Sequence, residues 1–258
     1  AIRLGVTVAA FNQDASRCDV RLSDGSRLAV DLLVGADGLY SALRKQVFPD
    51  AAAPQFTGQA CWRLVIPRDP QIDNRHFFLG GPVKVGLTPV SESEMYLFLL
   101  EHVPDNPRRP EPTQYEVLRG LLAPYGGILA RIRDELNPRS QIVYRPLESH
   151  LLRHDWWSGR AILIGDAAHA TTPQLASGAG MGLEDGIVLA DELSHAPSIH
   201  QALTNFMRRR FERCRMVVDH QPSIRRDRRH DDRRSRRGYE CRADQDRRPV
   251  SLRARRED

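Results

Sequence analysis

Two stretches carry residues whose types and order suit chemistry. The first is Val34-Gly35-Ala36-Asp37-Gly38, followed by Ser41 and Arg44. An apolar run ends in an aspartate, a glycine permits a tight turn, and helix-forming residues follow. In layered α/β proteins, ligands sit beyond the carboxyl ends of the strands. A carboxylate there can accept hydrogen bonds from sugar or polyol hydroxyls, and Arg44 could neutralise a phosphate. The same residues equally allow Asp37 to cap the helix, with Arg44 at the surface.

The second stretch is Leu163-Ile164-Gly165-Asp166-Ala167-Ala168-His169, then Pro173, Gly178, Gly180, Gly182, Glu184 and Asp185. Again an apolar strand runs into Gly-Asp. The small Ala167 and Ala168 let a large flat ligand approach the backbone. The glycines lead into a helix N-terminus, whose free N–H groups and positive dipole end suit an oxygen gaining negative charge. A Gly-rich loop feeding an ordinary helix explains the glycines. It does not explain Gly-Asp, the proline and the acidic pair together.

The rest of the pattern indicates what positions these residues. Arg3–Asn12 and Cys18–Leu22 alternate as strands, and Ser23-Asp24-Gly25-Ser26 is a hairpin turn signal. Arg27–Ala36 ends in the run Leu32-Leu33-Val34-Gly35-Ala36, which suits a strand buried on both faces, and Leu39–Phe48 follows as a helix. Cys61–Pro67, His76–Leu79, Val83–Val90 and Met95–Glu101 are short apolar runs cut by Pro and Gly, the pattern of an antiparallel sheet. Thr113–Ala123 and Ile128–Leu136 have helical spacing, and Ile142–Tyr144 is a short strand. Arg160–Gly165 forms a second buried strand. Met181–Leu193 is a helix expected to bury Leu183, Ile187 and Ala190, and Ala202–Val218 is the last helix. The fold class expected is mixed α/β.

The 258 residues are 41% hydrophobic and 28% charged, enough for a real core, and no apolar run is long enough to span a membrane. The net charge of +5 is uneven. From Arg225 to the end there are 14 Arg against 8 acidic residues, whereas residues 1–224 hold 24 basic and 25 acidic groups. The basic tail carries one aromatic, Tyr239, so it lacks the stacking residues of single-strand binding. No specific nucleic acid and no membrane are therefore expected as partners. Cys18, Cys61, Cys214 and Cys241 are scattered, fit a reducing cytoplasm, and predict no metal site.

Taken in order, the two motifs resemble those of FAD-dependent aromatic-ring monooxygenases of the para-hydroxybenzoate hydroxylase type. The G-A-D-G segment with its Arg is matched at Gly35–Arg44, and the G-D-A-A-H…P…G…G…E-D segment at Gly165–Asp185. Tyr144-Arg145-Pro146-Leu147-Glu148 and Trp156–Arg160 also read like that family, whose salicylate, urate and hydroxynicotinate hydroxylases are similar in wording. The resemblance implies hydroxylation of a small aromatic or heteroaromatic substrate. NADH or NADPH would reduce FAD, and O2 would add to give a flavin C4a-hydroperoxide. It implies FAD contacts from Asp37, Gly38, Arg44, Gly165, Asp166, Pro173, Gly178, Ala179, Gly180, Met181 and Gly182, with His169 structural. Lys84 would hold a substrate anion, and Tyr96 would position or deprotonate a ring hydroxyl, a hairpin bringing the two together; His76 and Arg75 are weaker candidates. A flavin reductase or epoxidase acting on a lipid or polyprenyl ring shares the motifs, and an inactive fragment unable to hold FAD is a further alternative. A cytoplasmic protein is expected, with a homodimer left open.

The organisation implied is a partial, Rossmann-like FAD-binding domain (1–50 and 145–218) with an inserted antiparallel β-sheet substrate domain (51–144). Residues 219–258 are expected to be a disordered or frameshifted Arg-rich tail. No G-x-G-x-x-G turn precedes the first motif, so an N-terminal truncation is expected and residues 1–258 alone should hold FAD weakly. The tail has few apolar residues to offset its ordering entropy. Truncation after Pro222 should therefore shift the melting temperature by no more than about 2 °C in a calorimetric scan, since removing packed structure worth 1 kcal/mol would shift it by about 2–4 °C.

Overall fold

A computed structural model of the chain describes residues 2–220; the last helix takes in Asp219, where the tail was expected to begin, and the rest of that expectation, 221–258, lies outside the described residues. The elements in chain order are β1 (Val8–Gln13), β2 (Cys18–Leu22), β3 (Arg27–Val30), β4 (Leu33–Gly35), α1 (Ala42–Val47), β5 (Gln55–Pro67), β6 (His76–Phe78), β7 (Lys84–Pro89), β8 (Glu94–His102), α2 (Glu111–Leu122), α3 (Gly127–Glu135), β9 (Val143–Ser149), β10 (Trp157–Ser158), β11 (Ala161–Leu163), α4 (Asp166–His169), α5 (Gly178–His195) and α6 (Ile199–Asp219). They divide into two compact units, one of residues up to 57 and from 148, the other of residues 58–147.

In the first unit β1, β2 and β3 form an antiparallel meander, and β10, β11 and β4 form a second sheet in that order. Leu33, Val34 and Gly35 pair in parallel with Ala161, Ile162 and Leu163. Trp156, Ile162, Leu163, Met181, Leu203, Phe206 and Cys214 share its core. Cys18, Val20 and Leu22 alternate inward from β2 into a smaller cluster.

Three details of this unit depart from the sequence pattern. The first strand begins at Val8 rather than Arg3; Gly5, with φ +75°, turns the chain just before it. The run through Val34 is not covered on both faces. β4 is the edge strand of its sheet among the described residues, and Val34 is 41% exposed. Helix α5 buries Met181, Asp185 and Leu189, while Leu183 and Ile187 are 72% and 71% exposed. Helical periodicity marked an apolar face. The face packed inward instead carries a carboxylate, because an arginine of α6 meets it there.

The second unit is a five-stranded antiparallel sheet in the order β6-β7-β8-β5-β9, with α2 and α3. Alternation along β8 buries Met95, Leu97, Leu99 and Glu101 on one face. Trp62, Leu64, Val85 and Leu87 are buried too, as are Leu118, Leu122, Leu129 and Ile132 of the helices. The opposite face of the sheet is half open.

Gly35 ends β4 where no side chain fits. A Cβ there would lie 2.6 Å from Leu43 Cδ2 and 2.7 Å from Leu163 Cδ2. Overpacked positions of this kind cost roughly 1–3 kcal/mol. Gly35→Val is expected to lower unfolding stability by about that amount, read from urea denaturation.

Candidate functional site

The parallel pairing of β4 with β11 sends two chain segments out of the same sheet edge. Ile164 N–H continues the ladder by donating to Gly35 O at 2.9 Å. Asp37 follows one strand and Asp166 the other, and both are exposed. Gly38 (φ +81°) and Gly165 (φ +57°) turn the chain through the left-handed region that favours glycine. A Cβ placed on Gly165 would lie 3.7 Å from the Cα of Gly182, so the turn packs directly on the backbone of α5.

Asp37 has a structural duty as well as an exposed face. Its Oδ2 accepts the Leu43 N–H at 3.0 Å, and Ser41 Oγ accepts the Arg44 N–H at 2.8 Å, together capping α1. Arg44 is not at the surface but turned inward. It is 3% exposed, and its guanidinium donates to Ala167 O at 2.8 Å and Leu39 O at 2.6 Å. Burial lowers its pKa, opposed by the charge of Asp37. Arg44 thus ties α1 to α4. Nearby, buried His150 is held neutral, its pKa pushed down to about 4 by burial and by Arg44.

A turn of 3-10 helix at Pro173–Leu175 and Ala176 in the left-handed region (φ 50°) lead into α5. Ser177 caps α5 with no side-chain hydrogen bond, and its buried Oγ has no partner among the described residues. The N–H groups at Gly178, Ala179 and Gly180 therefore lack a side-chain acceptor, and a Cβ on Gly180 would meet nothing within 4 Å. Pro173 is exposed; Met181 is 2% exposed, with its N–H donating to Ser177 O and its carbonyl accepting from Arg210, so it backs the turn from inside. Two exposed carboxylates leaving neighbouring parallel strands could accept polyol hydroxyls, and helix-start N–H groups without a side-chain cap could meet the acceptor edge of a flat ring, a donor and acceptor set that fits a flavin nucleotide.

Behind the turn lies a buried ionic cluster that the sequence pattern did not resolve. Asp185 Oδ2 accepts the Gly165 N–H at 2.8 Å and meets His169 Nε2 at 2.6 Å, while Oδ1 accepts Arg210 Nε at 2.7 Å. Arg210 also reaches Glu184 at 2.7 Å, Met181 O at 3.1 Å and Cys214 Sγ at 3.6 Å. Burial disfavours a charged His169, but the hydrogen bond and charge of Asp185 outweigh it and raise its pKa to about 9. Asp185 itself is lowered: desolvation works against it, and His169, Gly165 N–H and Arg210 prevail. Donor atoms of His169, Asp185 and Cys214 lie within 4.8 Å of one another, a spacing a metal ion could use. The Arg210 guanidinium already contacts Asp185 and Cys214 there, and a second cation would meet its charge.

In the second unit, Lys84 and Tyr96 share the open sheet face but are not neighbours. Lys84 stands opposite Leu100 and Tyr96 opposite Thr88. That offset of four residues is about 13 Å along the strand. Between them Phe98 lies over Gly86, 5.9 Å from the Phe77 ring and 6.2 Å from the Tyr96 ring. Lys84 Nζ sits 5.1 Å from the Phe77 centroid. Arg63, opposite Phe98, is a cation of this face that sequence reading passed over; alternation with buried Trp62 and Leu64 was the available signal. Burial raises the Tyr96 phenol, partly offset by Arg63, so at neutral pH it is a hydrogen-bond donor rather than a base. His76 lies 3.5 Å from Asp73.

Fold and site define an α/β protein built to receive a flavin nucleotide. The chain belongs to the FAD binding domain family, whose pattern matches residues 1–220. It is 35% identical over 225 residues to 2-heptyl-3-hydroxy-4(1H)-quinolone synthase of Pseudomonas aeruginosa, covering 84% of this chain and 56% of that one. The FAD-dependent urate hydroxylase of Klebsiella pneumoniae is 29% identical over 84% of this chain and 57% of its own length. The crystal structure of Klebsiella pneumoniae HpxO complexed with FAD and uric acid superposes with a TM-score of 0.75 at 28% identity, covering 83% of this chain and 56% of that one. The chain thus spans a little over half the length of these relatives. Among the described residues no helix is long and apolar enough to cross a membrane.

Because its pKa is raised from 6.5 to about 9, His169 contributes stability that is complete below pH 6.5 and is lost as pH rises through 9. The stability difference between wild type and His169→Gln should therefore shrink by up to about 3 kcal/mol between pH 6 and pH 10, measured by denaturant titration.

Proposed function

We propose that this chain holds FAD in a monooxygenase that hydroxylates a small aromatic or heteroaromatic ring, using NADH or NADPH and O2. The observation that carries the reading is the emergence of Asp37 and Asp166 from neighbouring parallel strands at one edge, beside the uncapped start of α5. When bound, FAD supplies the redox chemistry that takes electrons from a nicotinamide and delivers one oxygen atom of O2 to the ring.

The chain's own residues bind and orient. Asp166, with no hydrogen bond to the protein among the described residues, is the carboxylate free to accept ribityl or ribose hydroxyls. Asp37 offers its Oδ1 while Oδ2 stays on Leu43. Gly165 and Gly38 keep side chains away from the backbone, and the N–H groups of Gly178, Ala179 and Gly180, which precede the first intrahelical bond from Met181 to Ser177, are the donors for the pyrimidine edge of the ring system. Pro173, exposed ahead of them, shapes the wall.

For the substrate, the row Phe77, Phe98 and Tyr96 gives a flat aromatic ring something to pack on. Lys84 and Arg63 supply positive charge at separate places along that row. Tyr96 donates its phenolic proton to a ring oxygen and positions it. A urate-like or quinolone-like anion has the matching shape and charge.

In a flavin-loaded form of the protein, NAD(P)H-dependent O2 uptake should rise on adding the aromatic substrate; uptake that ignores every aromatic compound and responds to a polyprenyl lipid would replace this reading. Asp166→Ala should weaken FAD binding about 10- to 100-fold, the value of a charge-assisted hydrogen bond. His169→Ala should weaken it less, as read by flavin fluorescence titration. Tyr96→Phe should raise KM for the aromatic substrate about three- to tenfold.

A further inference from the structure

We infer that Asp185, clamped between His169 and Arg210, is a positioning residue that fixes the Gly165–Asp166 turn for its ligand. The inference rests on the flavin reading for the identity of that ligand, but not for the clamp itself.

The geometry is specific to the turn. Asp185 is fully buried on α5, yet its Oδ2 faces out of the helix to take the Gly165 N–H at 2.8 Å. Gly165 has φ +57° and ψ −142°, a conformation that needs a partner to select it. The next residue is Asp166. A carboxylate one residue away from the ligand-binding carboxylate therefore sets the direction in which Asp166 leaves the strand.

The groups facing the clamp come from each neighbouring element. His169 closes it from α4 at 2.6 Å, with the Trp156 ring 4.8 Å from the imidazole. Arg210 closes it from α6 at 2.7 Å, and Cys214 lies beside both. Arg210 is itself anchored by Glu184, which Arg213 holds through two 2.7 Å bonds at the surface. A neutral acceptor at position 185 could still touch Gly165. It would remove the charge that keeps a proton on buried His169 and leave Arg210 with Glu184 alone, and the turn would lose its fixed partner. The same neighbours raise the His169 pKa, which is why the Gly165 amide should sense its titration.

The test uses the full 258-residue chain and amide-resolved NMR. In wild type, the Gly165 amide signal should shift as pH passes through the titration of His169, and His169→Gln should abolish that shift. Asp185→Asn should speed hydrogen exchange at Gly165–Ala168 at least tenfold while α2 and α3 keep their wild-type rates, and should weaken FAD binding at least tenfold. Arg213→Gln should change neither. Exchange at Gly165–Ala168 within twofold of wild type, acceleration spread evenly over the whole chain, or a Gly165 signal indifferent to His169 would each overturn the clamp. A wild-type chain that binds no FAD but shows the exchange and titration effects would overturn the flavin reading and leave the clamp standing.

Discussion

The parallel pairing of three residues of β4 with three of β11 is the constraint on which the candidate site depends. These strands lie more than a hundred residues apart in the chain. Their alignment brings Asp37 and Asp166 out of the same sheet edge. An antiparallel pairing would send the two carboxylates to opposite edges, and a register slip would place one of them within the ladder. Gly35 and Leu163 sit in contact at the last pair, and that close fit holds the alignment.

Around this pair the protein tolerates an unusual amount of buried charge. Arg44, His169, Asp185 and Arg210 are all almost wholly buried. Isolated, any one of them would cost several kcal/mol. Each is matched. Arg44 meets two backbone carbonyls, while Asp185 meets an amide, an imidazole and a guanidinium. The arrangement connects β11, α4, α5 and α6 through groups with strict directional demands. Apolar packing alone would leave the Gly165 turn free to choose among conformations. Asp37 and Asp166 stay exposed in front of this braced backing, which suits a surface that has to receive a large polar ligand.

Much of this was legible in the residues. The two motifs in which a strand runs into an aspartate beside a glycine, the antiparallel runs from His76 to Glu101 and the helices near Thr113, Ile128 and Ala202 follow from periodicity and turn chemistry, and appear close to their expected bounds, whereas the strand expected from Cys61 begins at Gln55. Periodicity did less well on α5, because Leu183 and Ile187 repeat as regularly as Met181, Asp185 and Leu189. Only the partner across the helix, Arg210 on α6, decides which set turns inward. Arg44 shows the same limit. Its spacing after Asp37 fitted a phosphate contact, but nothing local revealed that the carbonyls of Leu39 and Ala167 would enclose it. The distance between Lys84 and Tyr96 depended on hairpin register, which short strands leave ambiguous. Arg63 was readable from the alternation of β5, because a cation between two buried apolar residues must face the open side of the sheet.

Asp37 and Asp166, brought together by β4 and β11, are proposed to receive FAD. A crystal structure of the protein soaked or co-crystallised with FAD tests it most directly. The account predicts the Asp166 carboxylate within about 3 Å of a hydroxyl or ribityl oxygen of the cofactor. Backbone N–H groups of Gly178, Ala179 and Gly180 should point at the flavin ring, with Asp37 lining the same ligand. Flavin bound elsewhere, with Asp166 and the start of α5 left facing solvent, would contradict it.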